Sequence, residues 1–330
     1  MPPDTAPKKE FESLNAGYNT TFKAGRLSLG LVVPIEAYSN GPVPTMSRHV
    51  ERVRLAEAAG FRALWLRDVP FNVPSFGDAG QLYDPFVYLG FLAAQTQKIA
   101  LGVASIILPL RHPAHVAKAA ASADLLSGGR LLLGIASGDR PQEYPAMNIS
   151  FPDRGARFRQ SFEYIRQMAQ TFPEFEAPFG SPRGMDMLPK PVGARLPLLV
   201  TGGSQQSPQW TARNGDGWMT YPRNLGQQAR VVGQWRDMVD AAGLAPKPVM
   251  QPLYVDLLED PDAPPRPIHL GFRTGTRHLK AYLKGLEEIG VNHVALNLRF
   301  SKGPIEDTIE RLGKDVLSDF HAADPSGSAP

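Results

Sequence analysis

The sequence predicts an α/β fold of the (β/α)8 TIM-barrel type, with insertions in the loops at the C-terminal face. Three observations predict it. Short apolar runs alternate with segments of helical spacing eight times along the chain. Such alternation implies parallel strands joined by right-handed crossovers, and eight units is the count of a closed barrel. The first run ends Leu31-Val-Val-Pro-Ile-Glu36, without the Gly-x-Gly-x-x-Gly that a doubly wound dinucleotide-binding sheet would carry there. That open sheet is the alternative. Finally, the long connections Arg67–Tyr83, Ser137–Asp153 and Glu259–Phe272 all follow strands. In a barrel they share the C-terminal face, where active sites are built.

The elements are expected in this order. Leu27–Val33 is a strand, followed by a helix near Thr45–Ala59. Phe61–Leu66 leads to a helix near Asp84–Thr96, with Asp84 as its cap. Ile99–Ile107 leads to a helix from Pro113 to Leu126, and Arg130–Ala136 to one from Arg154 to Thr171. Leu196–Thr201 precedes Ser207–Asn214, and Gly217–Thr220 precedes Leu225–Ala242. Val249–Leu257 is followed by Thr276–Ile289, and His293–Leu298 by Ile305–Phe320. Gly60 and Gly290 stand where helix C-caps belong, and Pro113 stands in a first turn, where proline is tolerated. Thr171–Pro191 is long and rich in Pro, Gly and Phe, and reads as an insertion. Residues 1–25 read as an N-terminal extension, 26–320 as the barrel, and 321–330 as a disordered, low-complexity tail.

Composition excludes several classes. The 330 residues hold 35 Lys+Arg against 32 Asp+Glu, with no basic run, so nucleic acid is not an expected partner. Cysteine is absent, which removes disulfides, thiolate metal sites and a cysteine nucleophile. His112 and His115 form a His-x-x-His without a third ligand, and no His-Glu-x-x-His occurs, so no metal site is expected. A catalytic-serine Gly-x-Ser-x-Gly is also absent. No apolar stretch is long enough to span a membrane, and Met1–Lys9 has no signal-peptide core, so a cytoplasmic protein is expected.

The sharpest local feature is Leu198-Leu-Val-Thr-Gly-Gly-Ser-Gln-Gln-Ser207. A buried strand enters Gly202 and Gly203, then a helix start with Ser204 and Ser207. Free amides and short hydroxyls at a helix start suit a phosphate. A capped tight turn accounts for the same residues.

Two longer segments carry a family resemblance. They are Gly102-Val-Ala-Ser-Ile-Ile-Leu-Pro-Leu-Arg-His-Pro113 and Asp124-Leu-Leu-Ser-Gly-Gly-Arg130, the second leading into Leu131–Ala136. With the glycine turn, Ala212–Trp218 and Gly290–Ala295, the chain from Leu27 to Phe320 resembles the bacterial luciferase-like monooxygenases. The resemblance implies a barrel that binds FMN or a deazaflavin. The phosphate would lie at Gly202, Gly203, Ser204 and Ser207, aided by Arg154 or Arg157. The ring would lie against Ala104, Ser105, Ala136, Ser137 and Gly138. It also implies a cis peptide at Ala104–Ser105.

The luciferases proper carry a histidine after the second strand, where this chain has Arg67-Asp68. Asp68, Arg67 and Glu143 are the candidate catalytic residues, and an ion pair at the barrel mouth is the structural alternative for the first two. Arg140 and Arg299 are further candidates for contact with substrate or ring, and His112 is expected near the ring. The resemblance implies a flavin-dependent oxidoreductase, in the first reading a two-component monooxygenase. It would take reduced FMN as co-substrate from a separate NAD(P)H:flavin reductase and act with O2 on a small organic molecule, as a homodimer. The alternatives are a deazaflavin-dependent hydride-transfer enzyme, a non-catalytic flavin-binding protein, and a phosphosugar isomerase or aldolase barrel.

Overall fold

The computed structural model describes residues 10–321. The expected disordered tail lies outside the described residues, except for its first residue, His321. A closed parallel barrel is formed by β1 (Ser28–Val32), β2 (Ala63–Leu66), β3 (Ala100–Ile107), β4 (Leu131–Ala136), β5 (Leu198–Thr201), β6 (Gly217–Met219), β7 (Val249–Leu257) and β10 (His293–Asn297). Each pairs with the next, and β10 closes the circle by pairing with both β7 and β1. The helices between them are α2 (His49–Ala58), α3 (Pro85–Gln95), α4 (Pro113–Leu126), α6 (Arg154–Gln167), α7 (Pro208–Asn214), α8 (Leu225–Ala241), α9 (Thr276–Glu288) and α10 (Ile305–Asp315). Among the described residues no helix is long and apolar enough to cross a membrane.

The strands read as continuous apolar runs because both faces are buried. Outward side chains such as Leu29, Leu64, Leu101 and Leu133 pack under the helices, while Ala63, Trp65, Ala100, Leu132, Leu199 and Met250 fill the barrel interior. Trp65 is fully buried, and its indole N–H donates to His293 Nε2 at 2.8 Å. That leaves the proton on Nδ1, 2.6 Å from Ser28 Oγ. Burial holds the His293 imidazole neutral, with its pKa lowered to about 3. Gly102 makes room for Trp65: a Cβ there would stand 2.4 Å from the indole.

Three features differ from the sequence expectation. First, the N-terminal extension contains α1 (Ala16–Thr21), capped by Asn15; its Tyr18 and the following Phe22 plug the interior at its N-terminal end. Tyr18 donates its hydroxyl to the Asp216 carbonyl at 2.7 Å. Second, the connection expected as a loop over 259–272 holds a hairpin, β8 (Arg266–Ile268) and β9 (Gly271–Thr274), and β9 extends the sheet beside the C-terminal half of β7. Third, the first barrel helix starts at His49 rather than Thr45. The Glu36 carboxylate accepts from Thr45 N, Thr45 Oγ1 and Met46 N, and Met46 and Arg48 take positive φ, so the helix cannot begin earlier. A short helix, α5 (Glu143–Ala146), lies in the connection after β4.

Candidate functional site

The mouth of the barrel holds a cleft of about 460 Å³ between the C-terminal ends of β3, β4 and β5. Short side chains line two of its sides, with Arg67, Arg140, Glu143 and Tyr221 also in its wall. Ala104, Ser105, Ala136, Ser137 and Gly138 form one side, and Gly202, Gly203 and Ser204 form the other. The Ala104–Ser105 peptide is cis, as the resemblance implied, and the β3–β4 register shifts between Val103 and Ile106. Ser105 hydrogen-bonds Thr201 across the cleft floor, which ties β3 to β5. The Tyr144 hydroxyl donates to the Ser137 carbonyl and stands under Gly138, whose φ is +76°.

The turn after β5 is fastened from below. Gly202 N donates to the Met219 carbonyl, the Trp218 indole donates to the Gly202 carbonyl, and Ser204 Oγ donates to the Thr201 carbonyl. Ser204 and Gln205 both take left-handed φ, of 44° and 59°. Among the described residues the amides of Gly203 and Gln205 donate to no protein group. A Cβ at Gly203 would meet only the Gln206 carbonyl, at 3.6 Å, so the space above the turn is open. Free amides in a left-handed turn form an anion-accepting concavity.

Three of the sequence-predicted contacts do not line this cleft. Ser207 caps α7, accepting from Trp210 N at 3.1 Å. Arg154 stacks 3.8 Å over Phe151, with its Nε buried and unpartnered, and Arg157 reaches the Pro109 carbonyl and Phe179. Arg154 opens α6, whose first turn packs on the glycine turn through Gly155 and Gln206. His112, expected near the ring, instead caps α4 and packs against Phe179 and Tyr164, because its Nδ1 satisfies the free Ala114 amide. The second long motif, Asp124–Arg130, is structural and lies at the opposite end, whereas the first supplies Ala104 and Ser105 to the cleft. Arg130 makes five bonds to Thr96, Ile99, Ala93 and Ser127, and Asp124 accepts from Asn15 and Val192.

The charged candidates divide into two networks. Asp68 accepts from Ile107 N and receives both Arg111 Nε and Nη2, at 3.0 and 2.7 Å, while Arg111 also reaches Asp84. Arg67 pairs not with Asp68 but with Asp78, at 2.6 Å, and Arg299 joins the same oxygen at 3.0 Å. Glu143 is buried, and its Oε1 has no hydrogen-bond partner among the described residues and stands 4.0 Å from Arg140 Nη1. Burial is the main cause that pushes its carboxyl up to about 7; Asp68 and Asp139 push the same way against Arg140. A group titrating there can hold or release a proton at neutral pH.

A second cavity, of about 370 Å³, adjoins the cleft through shared residues Arg67, Ala104, Ser105 and Thr201. It is lined by Met219, Met250, Tyr254, Asp78 and Arg299. Asp78, Thr201, Tyr221 and Tyr254 line these spaces without having been expected there from the sequence. Only Thr201 had a visible signal, as the last residue of a strand entering the glycine turn.

A sequence model described as luciferase-like monooxygenase matches residues 27–266. The F420-dependent hydroxymycolic acid dehydrogenase of Mycobacterium tuberculosis is 26% identical over 239 residues, covering 71% of this chain and 63% of that protein. The oxygenase component of the flavin-dependent trigonelline monooxygenase of Acinetobacter baylyi is 26% identical over 182 residues, covering 54% and 49%. The crystal structure of the monooxygenase RslO1 from Streptomyces bottropensis superposes with a TM-score of 0.73 at 20% identity, covering 89% of this chain and 99% of that one, and shows the same fold.

Proposed function

The chain belongs to the luciferase-like monooxygenase family, and from that premise we propose that it is a flavin-dependent oxidoreductase that takes reduced FMN and O2 to a small organic substrate. The observation that carries this reading is the shape of the mouth cleft. A flat ring needs walls of short side chains, and Ala104, Ser105, Ala136, Ser137 and Gly138 supply them. An anionic tail needs free donors at one end, and the Gly203 and Gln205 amides supply those.

The reduced flavin, when bound, supplies the electrons for the oxidation. The chain's own residues do the rest. The glycine turn would hold the phosphate, and Ser105, fixed by Thr201, would back the ring. Glu143 would hold or accept a proton at Oε1 near neutral pH. The segment after β2, with Phe76 and Asp78 at the cavity edge, would keep water from the reacting face. Asp68 is assigned a positioning role: saturated by Arg111 and Ile107 N, it fixes the end of β3. The electron supply would come from a separate NAD(P)H:flavin reductase.

A deazaflavin in the same cleft is the second reading. It is favoured by the match to an F420-dependent dehydrogenase over 71% of this chain. Anaerobic titration with reduced FMN and with reduced deazaflavin separates the two. Tighter binding of reduced FMN is the expected result, and tighter binding of the deazaflavin reassigns the protein to hydride transfer.

A further inference from the structure

Three guanidinium groups gather where the mouth cleft meets the second cavity. Arg67, Arg140 and Arg299 converge on one residue, Asp78. Arg67 Nη1 and Arg299 Nη1 both reach Asp78 Oδ2, and Arg140 Nη2 donates to the Asp78 carbonyl at 3.1 Å. The other carboxylate oxygen is taken by the Tyr38 hydroxyl and Gly80 N. Asp78 is therefore saturated, and two guanidinium nitrogens remain over. Arg140 Nη1 and Arg299 Nε are buried and have no hydrogen-bond partner among the described residues. Arg140 is only 6% exposed, and its nearest carboxylate oxygen, on Glu143, stands 4.0 Å away, beyond hydrogen-bond reach. Asp139, the remaining acid that lines both spaces, is exposed at the rim.

A buried guanidinium nitrogen without an acceptor is costly, and such groups in native proteins have a reason. Here both belong to side chains that line the connected spaces, Arg140 the ring cleft and Arg299 the deeper cavity. Both are also stacked in place on aromatic faces, Arg140 4.5 Å over Phe76 and Arg299 4.8 Å over Tyr38. The cavity also carries an apolar patch, Val32, Met219, Met250, Pro252 and Ala295, beside polar groups that include Thr220, Tyr254 and Asn297.

We propose that the organic substrate is a carboxylate on a compact apolar body, its anionic end held by Arg140 and Arg299 beside Arg67 and its body seated in the cavity against Met219 and Met250. The ligand's role as substrate rests on the flavin reading. The anion site itself is independent of it. A guanidinium fixed by stacking loses little freedom on binding a carboxylate and gives a charge-assisted bond.

Calorimetric titration tests this with two acids, benzoate and hexanoate, and their neutral amides, benzamide and hexanamide. Each is run on the full chain with and without FMN. At least one acid is expected to bind tenfold or more tightly than its amide. Arg140→Met is expected to weaken that acid by about 10- to 100-fold and to leave the amide unchanged, while Arg140→Lys keeps part of the preference. Should Arg140→Met fail to fold, the acid–amide comparison on the unaltered chain and Arg140→Lys decide the matter. Equal binding of acid and amide, or no saturable binding of either acid, overturns the proposal. Acid preference without FMN binding removes the flavin reading and leaves the anion site. FMN binding without acid preference does the reverse.

Discussion

Glu143→Gln should make the protein more tolerant of alkaline pH, and the size of the effect follows from the site. Glu143 is 2% exposed with one oxygen unpartnered, and its carboxyl is held up at about 7 against an ordinary 4.5. Between those two values the folded state binds more protons than the unfolded state. Stability therefore falls as pH rises through this window. Moving the midpoint that far is worth at most about 3 kcal/mol at pH 8. Glutamine has the same shape and never ionises. Urea unfolding of both proteins at pH 5, 6, 7 and 8 gives the difference directly. The variant should gain on the parent as pH rises, by about 1–3 kcal/mol between pH 5 and 8. A difference that stays flat across the series, or one that favours the parent at pH 8, would refute the assignment of a raised carboxyl at the barrel mouth.

Other substitutions test the scaffold. Gly102→Ala should destabilise by about 1–3 kcal/mol in thermal unfolding, since its Cβ would stand 2.4 Å from the Trp65 ring. Arg130→Met removes five hydrogen bonds joining α3, the start of β3 and the end of α4; a loss of about 3–5 kcal/mol or failure to fold is expected, read by circular dichroism. Asp68→Asn leaves the buried side of Arg111 without a charge partner and should cost about 2 kcal/mol, less than a fully buried pair because Arg111 also reaches Asp84.

The barrel was legible because its strands are buried on both faces and its helix limits carry their own chemistry. Asp84 caps α3 by accepting from Phe86 N and Val87 N, and Gly60 and Gly290 turn the chain at φ near +90°. The misplaced elements lacked local signals. The start of α2 is set by Glu36, nine and ten residues upstream of the amides it binds. The six-residue α1 is too short to show a period and is held by packing inside the barrel. The β8–β9 hairpin has a mostly exposed first strand that holds a proline and a half-buried second strand, so no alternation marks it. In the site, the strand ends and the glycine turn were legible because short side chains at those positions are a local property. The partners of the charged groups were not. Arg67 chooses Asp78 over the adjacent Asp68, and Arg299 joins them from 221 positions later in the chain. Only the closed barrel brings these groups to one mouth.

The proposed function requires the mouth cleft to be a flavin site, and Gly203→Val tests this most directly. The φ of Gly203 is not left-handed, and its Cβ direction meets no protein atom closer than 3.6 Å. The valine should fold as the parent does while filling the space where the phosphate would lie. Equilibrium titration with FMN, oxidised and reduced, should give saturable binding to the parent and a loss of at least tenfold in the variant, at unchanged melting temperature. FMN and deazaflavin both failing to bind the parent, or equal binding to parent and variant, would contradict the account.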